Sequence, residues 1–253
     1  MGTVAGTLTG VDKDSLRERG YVVLPGLVPR ARHEAALRAI NASIGRGLNP
    51  KDVPRMRARS FCPELQKADV ILDLFRETAL SRTAASLVGT EGLERVTTAQ
   101  IALSFPSDRD AAAAPYPHLD GMYTPDNGVP AGSVLSFTML AGIVLSDVET
   151  PDAGNLVVWP GSHLVLERYF RAQGPKSLLA GMPKVDLGRP EPVRARAGDV
   201  ILCHYQLAHA AGPNTSPHVR YAAYFRLKRK GHDRLEWETL IDVWREWPGI
   251  SAP

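Results

Sequence analysis

The stretch that decides the fold is VRARAGDVILCHYQLAHAAGPNTSPHVRYAAYFRL, residues 193–227. Its β-branched, aromatic and other apolar residues occur in short runs, which indicates strands at 193–196, 200–204 and 220–227. Glycine, proline, asparagine and aspartate lie between these runs, as they do in turns. Short strands that are divided by turns rather than by long helices favour a sandwich or a barrel over a parallel α/β sheet.

The same pattern extends towards the N-terminus as far as Gly92, and the sequence before it is mainly helical. Further strands are expected at 96–105, 133–145 and 156–159, with a helix near 164–173 between strands. In the first ninety residues we expect a strand at 21–24 and helices at 12–19, 29–43, 64–75 and 79–87. The sequence therefore predicts one β core, with helices packed on it mainly from the N-terminal third.

The composition is that of an ordinary globular protein, with 253 residues, of which 44% are hydrophobic and 23% are charged. The formal net charge of +3, from 30 basic and 27 acidic residues, argues against a nucleic-acid partner. No stretch approaches the roughly 18 apolar residues of a membrane-spanning helix, and the first residues do not resemble a signal peptide. Cys62 and Cys203 form no CxxC motif, so we expect reduced thiols in a cytoplasmic protein.

The segment with the clearest chemistry is Tyr116-Pro117-His118-Leu119-Asp120. In an extended chain the side chains of residues i and i+2 point the same way, so His118 and Asp120 can aim at one point. One more imidazole would complete the facial triad of non-haem Fe(II) enzymes, which leaves coordination positions open for O₂ and a second molecule. Taken alone the pair is a weak signal, because a hydrogen-bonded histidine and aspartate in a loop have the same sequence.

A second histidine with a suitable neighbourhood follows in the strand region. His209 precedes a turn sequence at 212–216, and Arg220 lies eleven positions after it. An arginine on an adjacent strand can pair with one carboxylate of a 2-oxo acid whose other end chelates a metal. His204 lies five positions before His209, but the turn and the eleven-residue gap follow His209 instead. We therefore interpret His209 as the third ligand, and His204 as a residue that packs in the core or supports the ligands from behind.

Together these motifs resemble the phytanoyl-CoA dioxygenase family of Fe(II)- and 2-oxoglutarate-dependent oxygenases. The elements occur in the order of that family and span roughly residues 15–228. They are RGYVVLPG at 19–26, HLD at 118–120, GNLVVWPGSH at 154–163, GDVIL at 198–202, His209, GPNTS at 212–216 and Arg220. No single element is diagnostic, whereas the ordered set is specific.

The resemblance implies a double-stranded β-helix, which is a jelly-roll or cupin-like fold, in a mainly β chain with supporting helices. We expect a single oxygenase domain over residues 1–253, with a helical part at 1–92, a jelly-roll core at 93–230 and a tail at 231–253. Tryptophans and aliphatic residues at 237–247 are consistent with an amphipathic helix. We expect that helix to pack on the barrel rather than on a second copy, and the oligomeric state cannot be read from the sequence.

By resemblance, His118, Asp120 and His209 are the iron ligands, and Arg220 binds the far carboxylate of 2-oxoglutarate. Gln100 is a candidate for contact with the near carboxylate. The implied cofactors are Fe(II), 2-oxoglutarate and O₂, with release of succinate and CO₂. Related halogenases have a small residue in place of Asp120, so the carboxylate favours a hydroxylase over a halogenase.

The chain departs from the family pattern at two points near the cosubstrate. Ala211 stands where many members have a serine. Many members also carry a tryptophan in the strand near the metal, whereas residues 139–143 contain none. Thr138 and Tyr224 are the candidates to replace the tryptophan, and the sequence does not decide between them.

The expected substrate is a small metabolite or a natural-product intermediate. The candidate substrate-contacting residues flank the metal segments or lie in the segment that often covers the opening in this family: Tyr116, Met122, Tyr123, Trp159, Arg57 and Arg59. The two arginines would suit an anionic substrate. The loop at 107–115 is a candidate lid.

Two other functions remain open at this point. The first is a metal-dependent enzyme on a cupin-like barrel that is not an oxygenase, which would use the three ligands but have no need of Arg220. The second is a jelly-roll binding protein without catalytic activity. The complete ligand set argues against the second, because loss of catalysis often removes a ligand.

Overall fold

The structure, a computed structural model, describes residues 6–107, 115–235 and 237–251. Within these ranges the chain forms helices, most of them in the N-terminal part, and two antiparallel β-sheets. The helices are α1 (Gly10–Arg19), α2 (Arg30–Ile44), α3 (Val53–Ala58), α4 (Asp69–Arg76), α5 (Ala79–Val88), α6 (Ser162–Gln173), α7 (His232–Leu235), α8 (Glu238–Ile241) and α9 (Pro248–Ser251). The strands are β1 (Tyr21–Leu24), β2 (Gln100–Ser104), β3 (Met139–Val144), β4 (Leu156–Val158), β5 (Glu191–Pro192), β6 (Val200–His204), β7 (His209–Ala211) and β8 (Arg220–Leu227).

The two sheets differ in size and are built from strands that are distant in sequence. The larger sheet has the strand order β1-β6-β3-β8-β2, and the smaller sheet has the order β5-β4-β7. Every pair of neighbouring strands is antiparallel. In the pairing of β1 with β6, for example, Tyr21 lies opposite Cys203. Long-range pairing of this kind holds the N-terminal part of the chain to the β core.

The larger sheet is buried on both faces. Along β8, Ala223 and Phe225 belong to a hydrophobic cluster formed with the N-terminal helices, whereas Tyr224 packs against the cluster between the two sheets. All six residues of β3 and all five residues of β6 are buried. Because both faces are covered, these two strands appear in the sequence as continuous apolar runs rather than as an alternation.

The junction between α1 and β1 explains the first of the sequence motifs. Helix α1 begins with a capping box in which the Thr9 side chain accepts the Asp12 N–H and the Asp12 carboxylate accepts the Thr9 N–H. The helix ends at Gly20, whose φ of 79° is in the left-handed region. A Cβ at Gly20 would lie 2.7 Å from Nδ1 of His163 in α6. Glycine is therefore required here by both the turn and the close approach of α6.

The predicted elements agree with the structure best where the chain is buried. The strands expected at 21–24, 200–204 and 220–227 are found at those residues. The strand expected at 193–196 is displaced, because β5 is Glu191–Pro192. In the described residues helix is more abundant than strand. The expectation of a mainly β chain is therefore corrected to a chain of mixed helix and strand, in which α1, α2, α4 and α5 share a hydrophobic cluster with the larger sheet.

The C-terminal segment differs from the single amphipathic helix that its sequence suggested. It forms the short helices α8 and α9 with a turn region between them. Leu240, Trp247 and Ile250 are buried in the two hydrophobic clusters, so the segment packs on the body of the protein. The candidate lid at 107–115 lies outside the described residues except at its two ends.

No described helix is long and apolar enough to cross a membrane. Cys62 and Cys203 are both buried and both free. Burial raises the pKa of each thiol, which keeps it protonated and unreactive at neutral pH.

We expect two buried histidines to make the protein less stable in mild acid. Burial lowers the pKa of His163 to about 4 and that of His204 to about 3, from an ordinary value of 6.5. At pH 7.5 both histidines are neutral whether the chain is folded or not. Below pH 6.5 the unfolded chain binds protons before the folded one does, so the free energy of unfolding falls as the pH decreases.

We expect the metal-free His204→Gln variant to lose less stability than the parent between pH 7.5 and pH 5. The substitution removes one of the two titrating groups while keeping a polar side chain near the Val243 carbonyl, which lies 2.7 Å from His204 Nε2. Denaturant unfolding at both pH values measures the two losses. Equal losses in parent and variant would contradict the assignment of acid sensitivity to His204.

Candidate metal centre

A short antiparallel contact brings the two predicted histidine ligands together. The His118 N–H donates to the His209 carbonyl at 3.0 Å, and the His209 N–H donates to the His118 carbonyl at 3.1 Å. This reciprocal pair adds the segment around His118 to the edge of β7. Residues that face each other in this way have neighbouring side chains, and the two ring centroids are 4.6 Å apart.

Asp120 completes a group of three side chains that can hold a metal ion. One ligand atom from each of His118, Asp120 and His209 lies within 4.8 Å of the other two. Asp120 Oδ1 is 3.6 Å from Nε2 of each histidine. His209 Nδ1 lies 2.9 Å from the Leu207 carbonyl, which only accepts, so Nδ1 carries the proton and Nε2 is free to bind a cation. Two imidazoles and one carboxylate fit the facial donor set of Fe(II).

Strong charge pairing keeps the aspartate ionised. Burial by itself would raise the pKa of Asp120, but the guanidinium of Arg226 and the two imidazoles outweigh it and hold that pKa well below its ordinary value. Burial would likewise lower the pKa of His209, but the Asp120 carboxylate outweighs this and raises it. The cluster therefore stabilises a positive charge between its donor atoms.

Arg220 is buried at the start of β8 and is held by two backbone carbonyls. Its Nε donates to Gly154 at 2.7 Å, and its Nη1 donates to Ala102 at 3.0 Å. Its Nη2 has no hydrogen-bond partner among residues 6–107, 115–235 and 237–251. The guanidinium is thus fixed in direction, with a free donor that can receive a carboxylate.

A family model described as phytanoyl-CoA dioxygenase (PhyH) matches residues 16–222. The chain belongs to this family. The match covers all the motifs that carried the resemblance in the sequence, from the end of α1 to the first residues of β8. No curated protein sequence matches the chain significantly.

Several solved structures share the fold of this PhyH-family protein. SnoK, a non-haem α-ketoglutarate-dependent carbocyclase from nogalamycin biosynthesis, is 22% identical with a TM-score of 0.57, over 90% of this chain and 86% of that chain. AviO1 from Streptomyces viridochromogenes Tue57 is 22% identical with a TM-score of 0.55, over 90% of this chain and 98% of that chain. HygX from Streptomyces hygroscopicus, crystallised with nickel, 2-oxoglutarate and hygromycin B, is 18% identical with a TM-score of 0.57, over 88% of each chain.

Gln100 and Thr138 were both candidates for contact with the cosubstrate, and the structure places them differently. Gln100 lies on β2, and its Oε1 accepts a hydrogen bond of 2.8 Å from Nη2 of Arg226. Thr138 donates its hydroxyl to Glu246 at 2.9 Å and accepts the Arg229 N–H at 2.8 Å. Its hydroxyl is therefore committed to the C-terminal segment, and we do not retain it as a cosubstrate ligand.

Tyr224 occupies the space that a large residue in β3 would fill. It lies on β8 between Arg220 and Arg226, and alternation along the strand puts the three side chains on the same face. In the register of β8 with β3, Tyr224 lies opposite Gly142. A Cβ at Gly142 would be 2.7 Å from Cε1 of Tyr224. The aromatic ring of the site thus comes from β8, and the glycine in β3 makes room for it.

The candidate substrate residues differ in their exposure. Tyr116 and Tyr123 are 76% and 49% exposed, on either side of the metal segment. The His118 side chain is 45% exposed, so the cluster is open to solvent on this side. Trp159, in contrast, is buried in the hydrophobic cluster between the sheets. We therefore do not retain it as a substrate contact.

The other three candidates lie beside the metal segment or on α3. Met122 is half-buried and pairs with Val134. Arg59 donates from Nε to the Asp126 carbonyl at 3.1 Å, which ties the end of α3 to the loop after Asp120. Arg57 is exposed on α3.

Arg226 was not predicted as a site residue, and it pairs with the candidate ligand Asp120. Its Nη2 lies 2.8 Å from Asp120 Oδ2. The sequence contained a signal for this residue: Arg226 is six positions after Arg220 in a predicted strand, so the two side chains face the same way. Its partner in the cluster is 106 positions away, so spacing alone did not connect them.

We expect Gly142→Ala to destabilise the protein by about 1–3 kcal/mol, because the added methyl group overpacks the site. The double variant Gly142→Ala/Tyr224→Ala should show a smaller effect of the alanine at 142, since the clashing ring is gone. Denaturant unfolding of the parent, both single variants and the double variant measures this coupling. Strict additivity of the two substitutions would show that the ring does not depend on the glycine.

Proposed function

We propose that the protein is an Fe(II)- and 2-oxoglutarate-dependent dioxygenase on a double-stranded β-helix, and that it hydroxylates a small molecule. The observation that carries the proposal is the cluster of His118, Asp120 and His209, with its donor atoms within 4.8 Å of one another. Membership of the PhyH family supports it, and so does the fold shared with HygX, whose structure contains nickel and 2-oxoglutarate. A metal enzyme that does not use a 2-oxo acid would have no role for the free donor of Arg220.

Each residue of the site has a distinct task in this proposal. When bound, Fe(II) supplies the activation of O₂ that is coupled to the decarboxylation of 2-oxoglutarate to succinate and CO₂. His118, Asp120 and His209 hold the metal and leave part of its coordination sphere open. Arg220 holds the far carboxylate of the cosubstrate and sets its orientation. The apolar cluster between the sheets excludes water from the buried side.

The proposed substrate is a natural-product intermediate or another small metabolite. The exposed rings of Tyr116 and Tyr123 at the open side of the cluster suit the flat face of a ring system or a sugar. Fold neighbours with such roles support this choice: SnoK comes from nogalamycin biosynthesis, and HygX was crystallised with hygromycin B. Hydroxylation is the proposed outcome because Asp120 provides a carboxylate where the resemblance associates halogenases with a small residue.

Anaerobic titration with Fe(II) and 2-oxoglutarate tests the proposed site. The parent should develop a weak visible charge-transfer band, because a 2-oxo acid can chelate the metal through two adjacent open positions. His209→Ala should lose the band through loss of the metal. Arg220→Ala should keep the metal but bind 2-oxoglutarate at least tenfold more weakly, since the guanidinium partner of its far carboxylate is gone.

The matched control is Arg194→Ala, which removes an exposed arginine that has no ion-pair partner in the described ranges. It should bind 2-oxoglutarate as the parent does. Absence of the band in a parent with bound iron would reject the 2-oxoglutarate site. An unchanged affinity in Arg220→Ala would favour a metal enzyme of another kind.

The reaction type is tested by product mass. Under O₂ we expect succinate to form faster in the presence of a substrate, and the product to gain one oxygen atom relative to that substrate. A panel of glycosides and polycyclic aromatic compounds is the first to screen by succinate release. A product that has lost two hydrogens, or has gained chlorine in chloride buffer, would contradict the hydroxylase assignment.

A further inference from the structure

The two oxygen atoms of Asp120 have different partners. Oδ1 is 3.6 Å from Nε2 of both histidines and faces the point where the three donors meet. Oδ2 lies 2.8 Å from Nη2 of Arg226. The arginine therefore engages the oxygen that the histidines do not approach.

The guanidinium of Arg226 is held from two further directions. Its Nη2 also donates to Oε1 of Gln100 at 2.8 Å, and its Cζ lies 6.0 Å from the ring centroid of Phe137. Phe137 is buried and packs edge-on against Tyr205, with ring centroids 4.8 Å apart. An arginine oriented by an acceptor and by an aromatic ring presents its donors in a fixed direction.

The residues on either side of Phe137 are anchored to the C-terminal segment. Ser136 Oγ is hydrogen-bonded to Nε2 of His232 at 2.9 Å, and Thr138 donates to Glu246 at 2.9 Å. His232 Nδ1 lies 2.8 Å from the same Glu246 oxygen. These bonds fix the position of the phenyl ring below Arg226.

We propose that Arg226 is a positioning residue that keeps Asp120 a one-oxygen ligand of the metal. A carboxylate can bind a cation through one oxygen or through two. A second bond from Asp120 would take one of the positions that a facial triad leaves open. The pairing of Oδ2 with Arg226 prevents that bond and preserves the position for O₂. This inference rests on the proposed function, because it concerns the same metal.

The number of water molecules on a bound Mn(II) ion tests the proposal without any turnover. Mn(II) suits a donor set of this kind, and its bound waters are counted from proton relaxation of the solvent. Arg226→Met should carry one fewer bound water than the parent, because Oδ2 becomes free to bind the metal. Addition of 2-oxoglutarate should displace two waters from both proteins. Arg226→Lys, which retains the charge, should lie between the parent and the methionine variant.

The matched control is Arg194→Met, which should carry the same number of waters as the parent. If Arg226→Met does not fold, Arg226→Ala provides the test, since it also removes every donor that pairs with Asp120 Oδ2 and leaves Asp120 unaltered. Equal water counts in the parent and in the folded variant would overturn the proposal. A parent that binds Mn(II) but loses no water on addition of 2-oxoglutarate would instead reject the proposed function.

Discussion

The pairing of two arginines that β8 presents towards the smaller sheet is the constraint on which the geometry of the site depends. β8 is covered on both faces, yet it carries Arg220 and Arg226 on the face that looks towards the smaller sheet. Arg220 is buried, and Arg226 pairs with the largely buried Asp120. A buried charge is costly unless it is paired and hydrogen-bonded. The fold meets this requirement with backbone carbonyls at Arg220 and with Asp120 at Arg226. Both guanidinium groups are consequently held in a defined direction, which the proposed binding of a cosubstrate and a metal ion requires.

The reciprocal hydrogen bonds between His118 and His209 connect this arrangement to the smaller sheet. They fix the backbone of a segment that would otherwise be a loop, and they set the two imidazoles side by side. Asp120 then lies between the imidazoles of the smaller sheet and an arginine of the larger one. The candidate metal site thus lies where the two sheets meet, and its geometry depends on both of them.

The C-terminal segment supports the candidate metal site, although none of its residues is one of the three candidate ligands. Glu246 and His232 are buried and bind the residues that flank Phe137, the ring below Arg226. On another side of the same segment, Trp247 stacks on His204 with ring centroids 5.2 Å apart. His204 therefore packs between β6 and the C-terminal segment. This packing explains why His204, although only five positions before His209, is not part of the candidate metal site.

The sequence by itself determined the features that depend on local spacing. The strands at 200–204 and 220–227 follow from short apolar runs between turn residues. The common direction of the His118 and Asp120 side chains follows from the two-residue period of an extended chain. Only the tertiary structure decided contacts between distant segments. Arg226 meets Asp120, and Tyr224 fills the space over Gly142, because strands far apart in sequence pair in one particular register. A one-residue change of that register would turn both side chains to the opposite face of the sheet, and no local pattern specifies it.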